Sequence, residues 1–221
     1  MRVSEIFGPT IQGEGPFCGR RAMFVRTSGC NLACTYCDTP YTWDWERFNR
    51  EEEQTQLTAH EIIANMNSMG ATDSDLLVIT GGEPTTQQSE VNALTLAWAG
   101  PVQIETNGTV LPQPVGATYV VSPHLANSGT KHNPIRLAAL AAYAEHGAHF
   151  KFVATPDMLD EVQGVVDAIG VRPENVWIMP EGTNSATILE STRMLAPETI
   201  QRGWNLSTRL HVLIWGNSRA H

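Results

Sequence analysis

Three of the four cysteines in the chain fall within eight residues, in the stretch CNLACTYC at positions 30–37. Their C-x3-C-x2-C spacing lets a single loop turn three thiolates toward one point. Soft thiolates suit zinc and iron–sulfur clusters. Three thiolates fill three corners of a four-iron cluster and leave one iron open to a small molecule. The pattern therefore predicts either such a cluster or, in the simpler alternative, a structural zinc site with Cys18 or a histidine as fourth ligand.

The elements that must position this loop alternate along the chain. A strand over Ala22–Thr27 leads directly into the cysteines. Further strands are predicted at Val3–Phe7, Leu76–Thr80, Val102–Thr106, Thr118–Val121, Phe150–Val153, Val176–Met179 and Leu210–Trp215. Helices are predicted from a Thr58/Glu61 capping box to Gly70, over Glu90–Ala99, from Pro134, over Asp157–Ile169 and over Ser185–Leu195, ending before Pro197. Such alternation indicates parallel β/α units. The units are too few for a closed barrel, so the expected fold is α/β, a partial and open TIM-like (β/α)6 barrel.

Polar clusters follow the predicted strands, each before the next helix. They read GGEP at 81–84, ETNG at 105–108, SPH at 122–124 and PEG at 180–182, and the loop IQGEG at 11–15 follows the first strand. Because the carboxyl ends of parallel strands meet at one edge of the sheet, folds of this class keep their sites there. The site is therefore expected at the C-terminal face of the parallel strands, beside the cysteine loop.

Two of these motifs together resemble the radical S-adenosylmethionine (SAM) enzymes. Tyr36 directly precedes the third cysteine, as an aromatic residue does in that family's cluster loop, and GGEP resembles its motif for the SAM amino group. In that family the open iron binds SAM, and one electron from the cluster cleaves it to a 5′-deoxyadenosyl radical.

Within that superfamily the chain resembles the 7-carboxy-7-deazaguanine synthase family. The motifs that carry the resemblance are IQGEG, FVR at 24–26, GCNL at 29–32, CDT at 37–39, TGGEP at 80–84, ETNG, SP at 122–123 and RLH at 209–211. The resemblance runs nearly end to end and is weakest between Tyr41 and Gln56. It implies conversion of 6-carboxy-tetrahydropterin to 7-carboxy-7-deazaguanine with loss of ammonia, for deazaguanine nucleosides such as queuosine.

The resemblance implies a role for each matching residue, and a [4Fe–4S] cluster, SAM and Mg²⁺ as cofactors. The implied cluster ligands are Cys30, Cys34 and Cys37, and the implied magnesium ligand is Thr39. The residues implied to line the pterin are Ile11, Gln12, Gly13, Glu14, Arg26 and Thr80. Those implied to bind SAM are Gly81, Gly82, Glu83, Ser122, Pro123, His124, Met179, Pro180, Glu181 and Gly182. Glu105 and His211 are the candidate catalytic residues. The family usually has a lysine where this chain has His124, so that contact is either made by backbone or weakened.

Several of these residues also have a plainer interpretation. Arg26, alone in an apolar strand, is either a surface residue or a clamp for a carboxylate. Thr39 and its neighbour Asp38 are either hard ligands for magnesium or turn residues. A buried histidine near a sheet end, such as His211, is as readily a structural donor as a proton carrier.

Composition limits the other classes of function. The chain has 221 residues, 42% of them hydrophobic, and a formal net charge of −9. These values suit one domain over residues 1–221, with a polar surface insertion at about 41–56. The absence of a basic run argues against nucleic acid as a partner, and no apolar run reaches membrane-spanning length. Neither a signal peptide nor disulfides are expected, so the expected compartment is the cytoplasm.

Two rival functions remain at the level of sequence. A small radical SAM activase that acts on a partner protein would share the cysteine loop, and a non-enzymatic zinc module would use Cys18. Cys18 is otherwise expected to be a spare structural thiol. A flavodoxin-type electron donor and a homodimer are implied by the resemblance alone.

Overall fold

A computed structural model of the chain describes residues 1–113, 115–130, 134–216 and 218–220. Their nine strands are β1 (Arg2–Ile11), β2 (Arg21–Thr27), β3 (Thr55–Gln56), β4 (Leu76–Gly81), β5 (Val102–Thr106), β6 (Thr118–Val121), β7 (His149–Ala154), β8 (Val176–Pro180) and β9 (Asn205–Leu206). The order across the single sheet is β3-β1-β2-β4-β5-β6-β7-β8-β9. All neighbouring pairs from β2 to β9 are parallel, whereas β1 pairs antiparallel with β2 and β3. The edge strands β3 and β9 do not pair with each other, so the sheet is not closed. The expected open barrel is confirmed.

The helices of the described residues are α1 (Arg50–Glu53), α2 (Ala59–Ser68), α3 (Gln88–Ala97), α4 (Leu137–Glu145), α5 (Leu159–Ile169), α6 (Ser185–Gln201) and α7 (Leu210–Trp215). α2 begins at the predicted capping box. The Thr58 hydroxyl accepts from the Glu61 backbone N–H at 3.2 Å, and the Glu61 carboxylate accepts from the Thr58 backbone N–H at 2.8 Å. None of the helices described is long and apolar enough to cross a membrane.

The prediction of a final strand at Leu210–Trp215 is wrong, because this segment is the helix α7. Its sequence, LHVLIW, is a short apolar run, and such a run fits a strand and a buried helical turn equally well. The Leu210 backbone N–H bonds the carbonyl of Gly13 at 2.9 Å, so α7 starts against the loop after β1.

Other predicted bounds also change. α6 continues through Pro197 to Gln201, since Leu195 and Thr199 on either side of the exposed proline remain buried. Pro134 does not open a helix, and α4 begins at Leu137. α5 begins at Leu159 after a short 3-10 turn, β1 extends to Ile11, and the two-residue strand β9 was not predicted.

The sheet has two chemically different faces. Alternate strand residues such as Val25, Ile79 and Phe150 join the main hydrophobic core. Their neighbours in sequence, among them Arg26, Thr80 and Lys151, point to the other face because side chains alternate along a strand. A smaller apolar cluster of Phe7, Ala22, Phe24, Leu76 and Val78 fills the lower part of that second face. Polar residues follow it toward the carboxyl ends of the strands.

The segment at 41–56 is only partly a surface insertion. Tyr41 and Thr42 are buried at its start. At its end, β3 pairs with β1 in the register Arg2 to Gln56 and Val3 to Thr55. The segment therefore covers the edge of the sheet beside β1.

Candidate active site

The cysteine loop leaves β2 and is tied to three other parts of the site edge. The Gly29 backbone N–H bonds the Thr42 carbonyl at 2.7 Å, and the Thr35 backbone N–H bonds the Ser128 carbonyl at 2.9 Å. Asn31 accepts from the Asn107 amide at 3.0 Å, which ties the loop to the ETNG turn after β5. These bonds fix the backbone that carries the thiols.

The thiols of this loop are buried, and N–H groups donate to two of them. Burial raises the pKa of Cys30 to about 12 and that of Cys34 to about 11, so neither ionises readily without nearby positive charge. N–H donors point at two of the sulfurs. The Leu32 backbone bonds the Cys30 sulfur at 3.4 Å, and the Trp43 indole bonds the Cys37 sulfur at 3.3 Å. Such donors stabilise the thiolates of iron–sulfur clusters, so Cys30, Cys34 and Cys37 fit the group that the sequence predicts.

Among the described residues, no three side chains of His, Cys, Asp or Glu stand ready to hold one metal ion, and this includes the three cysteines of the loop. The zinc alternative therefore depends on its fourth ligand, for which the sequence offers Cys18. Cys18 lies on the 3-10 turn after β1, and its thiol donates to the Gly13 carbonyl at 3.3 Å. Cys18 is thus engaged by the IQGEG loop, in keeping with a structural thiol.

The GGEP turn after β4 packs directly against the start of the cysteine loop. Gly81 adopts a φ of +121°, and a β-carbon there would lie 2.3 Å from the Thr27 backbone nitrogen. A β-carbon on Gly82 would lie 2.1 Å from the Gly29 carbonyl oxygen. Both glycines are therefore required for the close approach of the GGEP turn to the cysteine loop. This requirement comes from the protein itself and does not depend on a ligand.

Glu83 of the same turn is a fully buried carboxylate. It accepts hydrogen bonds from the Thr85 backbone at 3.0 Å, the Thr85 hydroxyl at 2.6 Å, the Thr106 hydroxyl at 2.7 Å and the Asn107 backbone at 2.7 Å. Burial raises its pKa, and these four donors oppose that shift. The side chain of Glu83 therefore joins the turns after β4 and β5, while its backbone N–H bonds the Gly29 carbonyl at 2.8 Å.

Beside these turns, the polar face of the sheet gathers Gln12, Glu14, Thr80 and Glu105. The Gln12 amide donates to Glu105 at 3.1 Å, and the Thr80 hydroxyl donates to the other Glu105 oxygen at 2.9 Å. The Gln12 carbonyl oxygen accepts from the Glu14 backbone at 3.1 Å. Residues predicted from three separate motifs thus form one connected network.

Two cations that the sequence analysis did not assign complete this network. Lys151, which is 5% exposed, bonds Glu14 and lies 4.0 Å from Glu105. Arg209 donates to Glu14 at 3.0 Å, to the Gly182 carbonyl at 2.9 Å and to Asp38 at 2.7 Å. A signal for Lys151 exists in the sequence, because it is the only charge in the apolar strand HFKFVA.

The buried charges stabilise one another. Burial opposes ionisation of Glu14, but Lys151 and Arg209 outweigh it and hold the pKa of Glu14 below its ordinary value. Burial likewise opposes the charge of Lys151, and Glu105 with Glu14 raises its pKa. His211 lies 3.9 Å from Glu14, yet burial lowers its pKa, so its imidazole is neutral near pH 7.

His211 also packs on the IQGEG loop. A β-carbon on Gly13 would lie 2.2 Å from the His211 ring nitrogen Nδ1, so only glycine leaves room for the ring. Ile11 is the last residue of β1 and opens this loop. α7 and the IQGEG loop therefore close the site from one side.

Arg26 lies on β2, and Thr39 follows the third cysteine of the loop. Arg26 is next to Thr80 in the β2–β4 register, and its Nε donates to Glu5 at 2.7 Å. The Thr39 hydroxyl lies 3.8 Å from the Cys37 sulfur. Asp38 is already bonded to Arg209, so of the two side chains considered for magnesium, Thr39 is the one that is not paired with a cation.

The predicted SAM turns follow β6 and β8. The Ser122 backbone bonds the Thr106 carbonyl at 2.7 Å, and Pro123 is buried. The His124 ring nitrogen Nδ1 lies 2.7 Å from the Tyr36 hydroxyl and 3.5 Å from the Cys34 sulfur. Burial lowers the pKa of His124 to about 4, so the residue that replaces the family's lysine is neutral.

In the turn after β8, Met179 and Pro180 are buried, Glu181 is exposed, and Gly182 is held by Arg209. The residues predicted for the cluster, the pterin and SAM therefore occupy neighbouring turns on one edge of the sheet. Such a site can hold a metal cluster beside a pocket lined with paired buried charges.

The comparisons with known proteins agree with this geometry. The model of the Radical SAM superfamily matches residues 24–116, which contain the cysteine loop and the GGEP turn. The chain is 35% identical to the 7-carboxy-7-deazaguanine synthase of Pyrobaculum aerophilum over 99% of its own length and 96% of that protein's. It is also 35% identical to the synthase of Hyperthermus butylicus, over 97% of its own length and 92% of that protein's.

A solved structure is similar over the same extent. The crystal structure of QueE from Escherichia coli matches with a TM-score of 0.73 and 25% identity, over 95% of this chain and 94% of that one.

Proposed function

Because the chain belongs to the 7-carboxy-7-deazaguanine synthase family of radical SAM enzymes, we propose that it converts 6-carboxy-tetrahydropterin to 7-carboxy-7-deazaguanine, with loss of ammonia, in deazapurine biosynthesis. The observation that carries the proposal is the network of Gln12, Glu14, Thr80 and Glu105 at the sheet edge next to the cysteine loop. A pterin presents a row of hydrogen-bond donors along one edge, and buried carboxylates are acceptors for such a row.

As a radical SAM enzyme, the chain uses SAM and a [4Fe–4S] cluster. When bound, the cluster and SAM would supply the radical chemistry that removes a hydrogen atom from the substrate, in this proposal from the pterin carbon that bears the carboxylate. We assign the cluster to Cys30, Cys34 and Cys37. We assign SAM to the turns of Gly81–Glu83, Ser122–His124 and Met179–Gly182. In the first turn, Glu83 holds the backbone in place, since its carboxylate accepts four hydrogen bonds from the protein, three on Oε1 and one on Oε2.

The protein's own residues would orient the pterin. Glu14 stays ionised because the positive charges of Lys151 and Arg209 stabilise its carboxylate. It can therefore accept hydrogen bonds from the pterin as a carboxylate. Glu105 is held by Gln12, Thr80 and Gln103, the last at 2.8 Å, which fixes the direction of its oxygens. Ile11 and Gly13 would complete the wall of the pocket. A pterin bound by these groups is held in one orientation, as a hydrogen transfer requires.

The substrate carboxylate requires a cation, and two are available in the proposal. Arg26 is one, with a planar fork that matches a carboxylate. The other is Mg²⁺, which we place on the Thr39 hydroxyl, and which would orient the carboxylate during ring contraction.

Loss of ammonia also requires proton transfer. His211 is neutral and can both accept and donate a proton near pH 7. Glu105 is bonded by three side chains and is better suited to hold the pterin. We therefore propose His211 as the proton carrier and Glu105 as an orienting residue.

The remaining features of the proposal come from the family and from the cysteines. We propose that residues 1–221 act as one radical SAM domain, as a homodimer, with an electron donor such as flavodoxin. Three unpaired cysteines in one loop require a reducing compartment, so the cytoplasm is proposed as the location.

The test is to reconstitute the cluster anaerobically and incubate the enzyme with SAM, dithionite, Mg²⁺ and 6-carboxy-tetrahydropterin. Mass spectrometry should detect both 7-carboxy-7-deazaguanine and 5′-deoxyadenosine, with no partner protein present. An activase would form neither deazaguanine nor any other product from the pterin. Deoxyadenosine without deazaguanine would retain the radical chemistry and overturn the proposed substrate.

A further inference from the structure

The carboxylate of Glu5 is the common partner of three side chains from distant parts of the chain. Its Oε2 accepts from the Arg26 Nε at 2.7 Å and from the Tyr41 hydroxyl at 2.9 Å. Its Oε1 accepts from the Nε of Arg219, whose guanidinium lies 3.8 Å from the centre of the Tyr41 ring. The Glu5 side chain is 11% exposed, so this cluster is largely withdrawn from water. Neither Glu5, Tyr41 nor Arg219 has a role in the proposed function above.

The hydrogen bond that the Arg26 Nε donates to Glu5 fixes one edge of the Arg26 guanidinium. Arg26 lies 5.6 Å from the centre of the Phe7 ring, which packs against the guanidinium. Among the described residues, nothing accepts a hydrogen bond from its two terminal nitrogens. Those nitrogens are the fork that binds a carboxylate bidentately, and Thr80 of the polar network is the neighbouring residue in register.

Arg219 is the second guanidinium on Glu5, and it has a carboxylate of its own in Glu53. Two carboxylates therefore balance two guanidinium groups in this cluster. What Glu5 contributes to Arg26 is the fixed direction of its side chain. Glu53 accepts a hydrogen bond from the Arg219 Nη2 at 2.8 Å and forms no ion pair with Arg26.

From this arrangement we propose that Glu5 is a positioning residue, which holds the Arg26 fork ready for the carboxylate of the pterin substrate. The proposal rests on the proposed function, in which Arg26 binds that carboxylate. A guanidinium on a flexible side chain loses conformational freedom when it binds, and a fork that is already held in place loses less. Glu5 therefore contributes to affinity for the carboxylate without touching it.

The test compares two fluorescent ligands that differ only in the carboxylate, pterin-6-carboxylate and pterin. Each is titrated into the cluster-reconstituted enzyme with SAM and Mg²⁺ and without reductant, so that no turnover occurs. In the wild type, pterin-6-carboxylate should bind more tightly. Glu5→Gln should weaken pterin-6-carboxylate roughly tenfold, because a neutral amide oxygen holds the Arg26 guanidinium less firmly than a carboxylate does. Binding of pterin should stay unchanged.

Two further variants separate positioning from a general structural effect. In an Arg26→Met background, Glu5→Gln should cause no additional loss of affinity, because Glu5 acts only through Arg26. The matched control is Glu53→Gln, which removes the other carboxylate on Arg219 and should leave both affinities unchanged. Arg26→Lys replaces Arg26→Met if circular dichroism shows that the methionine variant is unfolded.

Each outcome decides the proposal. Equal loss of both ligands in Glu5→Gln, or no loss of either, overturns the positioning role while Arg26 remains the carboxylate clamp. A further loss in the Arg26→Met background also overturns it. If the wild type binds the two ligands equally well, the clamp of the proposed function fails, and the positioning role fails with it.

Discussion

Lys151 is the residue on which the electrostatics of the site depend most. It is a buried ammonium between Glu14 and Glu105, and together with Arg209 it keeps Glu14 a carboxylate where burial alone would favour the neutral acid. Lys151→Met should therefore lower the free energy of unfolding by about 3–5 kcal/mol, because it removes the cation beside Glu105 and leaves Glu14 paired with Arg209 alone. Urea denaturation of wild type and variant measures this difference.

The same variant makes a prediction about pH. The pKa of Glu14 is lowered in the folded protein, so the stability that its ion pairs contribute is present above its unfolded pKa and is lost as the pH falls through the carboxyl range. The gap between wild type and Lys151→Met should therefore be widest near neutral pH and should narrow below about pH 4. The control is Arg172→Met, which breaks an exposed pair with Glu174 and should change stability little at any pH. A gap that stays constant with pH would contradict the assignment.

The cysteines of the loop and Cys18 should behave differently. Cys34→Ala should prevent cluster assembly and leave the fold intact, because the loop lies outside the hydrophobic core. Cys18→Ala should assemble the cluster normally, since the Cys18 thiol is bonded to the IQGEG loop and not to the cysteine loop. Iron and sulfide analysis after anaerobic reconstitution measures both, and SAM cleavage retained by Cys34→Ala would contradict the ligand assignment.

Thr39 tests the proposed place of magnesium. Thr39→Ala should weaken the dependence of the rate on magnesium concentration while the cluster stays intact, whereas Thr39→Ser should keep it because the hydroxyl remains. An unchanged magnesium response in Thr39→Ala would show that Thr39 is only a turn residue.

At the scale of elements, the GGEP turn and the cysteine loop depend on each other. Gly82 has no room for a methyl group against the Gly29 carbonyl, so Gly82→Ala should displace the backbone just before Cys30. We expect reduced cluster content and a Tm lower by several degrees.

The matched control for this substitution is Gly164→Ala in the middle of α5. Nothing lies within 4 Å of the position that a methyl group would take there, and alanine is the better helix former, so the control should gain up to about 1 kcal/mol. Normal cluster content in Gly82→Ala would refute the close packing of these loops.

Elements were predictable from sequence where the signal is local. The capping box placed the start of α2, and apolar runs with polar ends placed strands β4 and β5. α7 was not predictable, because LHVLIW has no periodicity that separates helix from strand, and tertiary contact with Gly13 decides its form. The passage of α6 through Pro197 likewise depends on packing, since local propensity alone ends a helix there.

At the scale of the whole molecule, the site is a product of strand order. Motifs as distant in sequence as IQGEG and RLH meet because β1 joins β2 on one side and because α7 starts against the loop after β1. The alternation of elements predicted that the motifs share one edge. It did not predict which side chains pair, so the bonds of Arg209 to three separate loops, and of Glu5 to Arg26, appear only in three dimensions.

The central claim is that this site removes the hydrogen from the pterin carbon that bears the carboxylate. The most direct measurement uses 6-carboxy-tetrahydropterin deuterated at that carbon, with SAM, reductant and Mg²⁺, and mass spectrometry of the 5′-deoxyadenosine formed. Deuterium in the 5′-deoxyadenosine, together with 7-carboxy-7-deazaguanine, is the predicted result. If 7-carboxy-7-deazaguanine forms while the 5′-deoxyadenosine carries no deuterium, or if the labelled pterin is recovered unchanged, the account of this site is wrong.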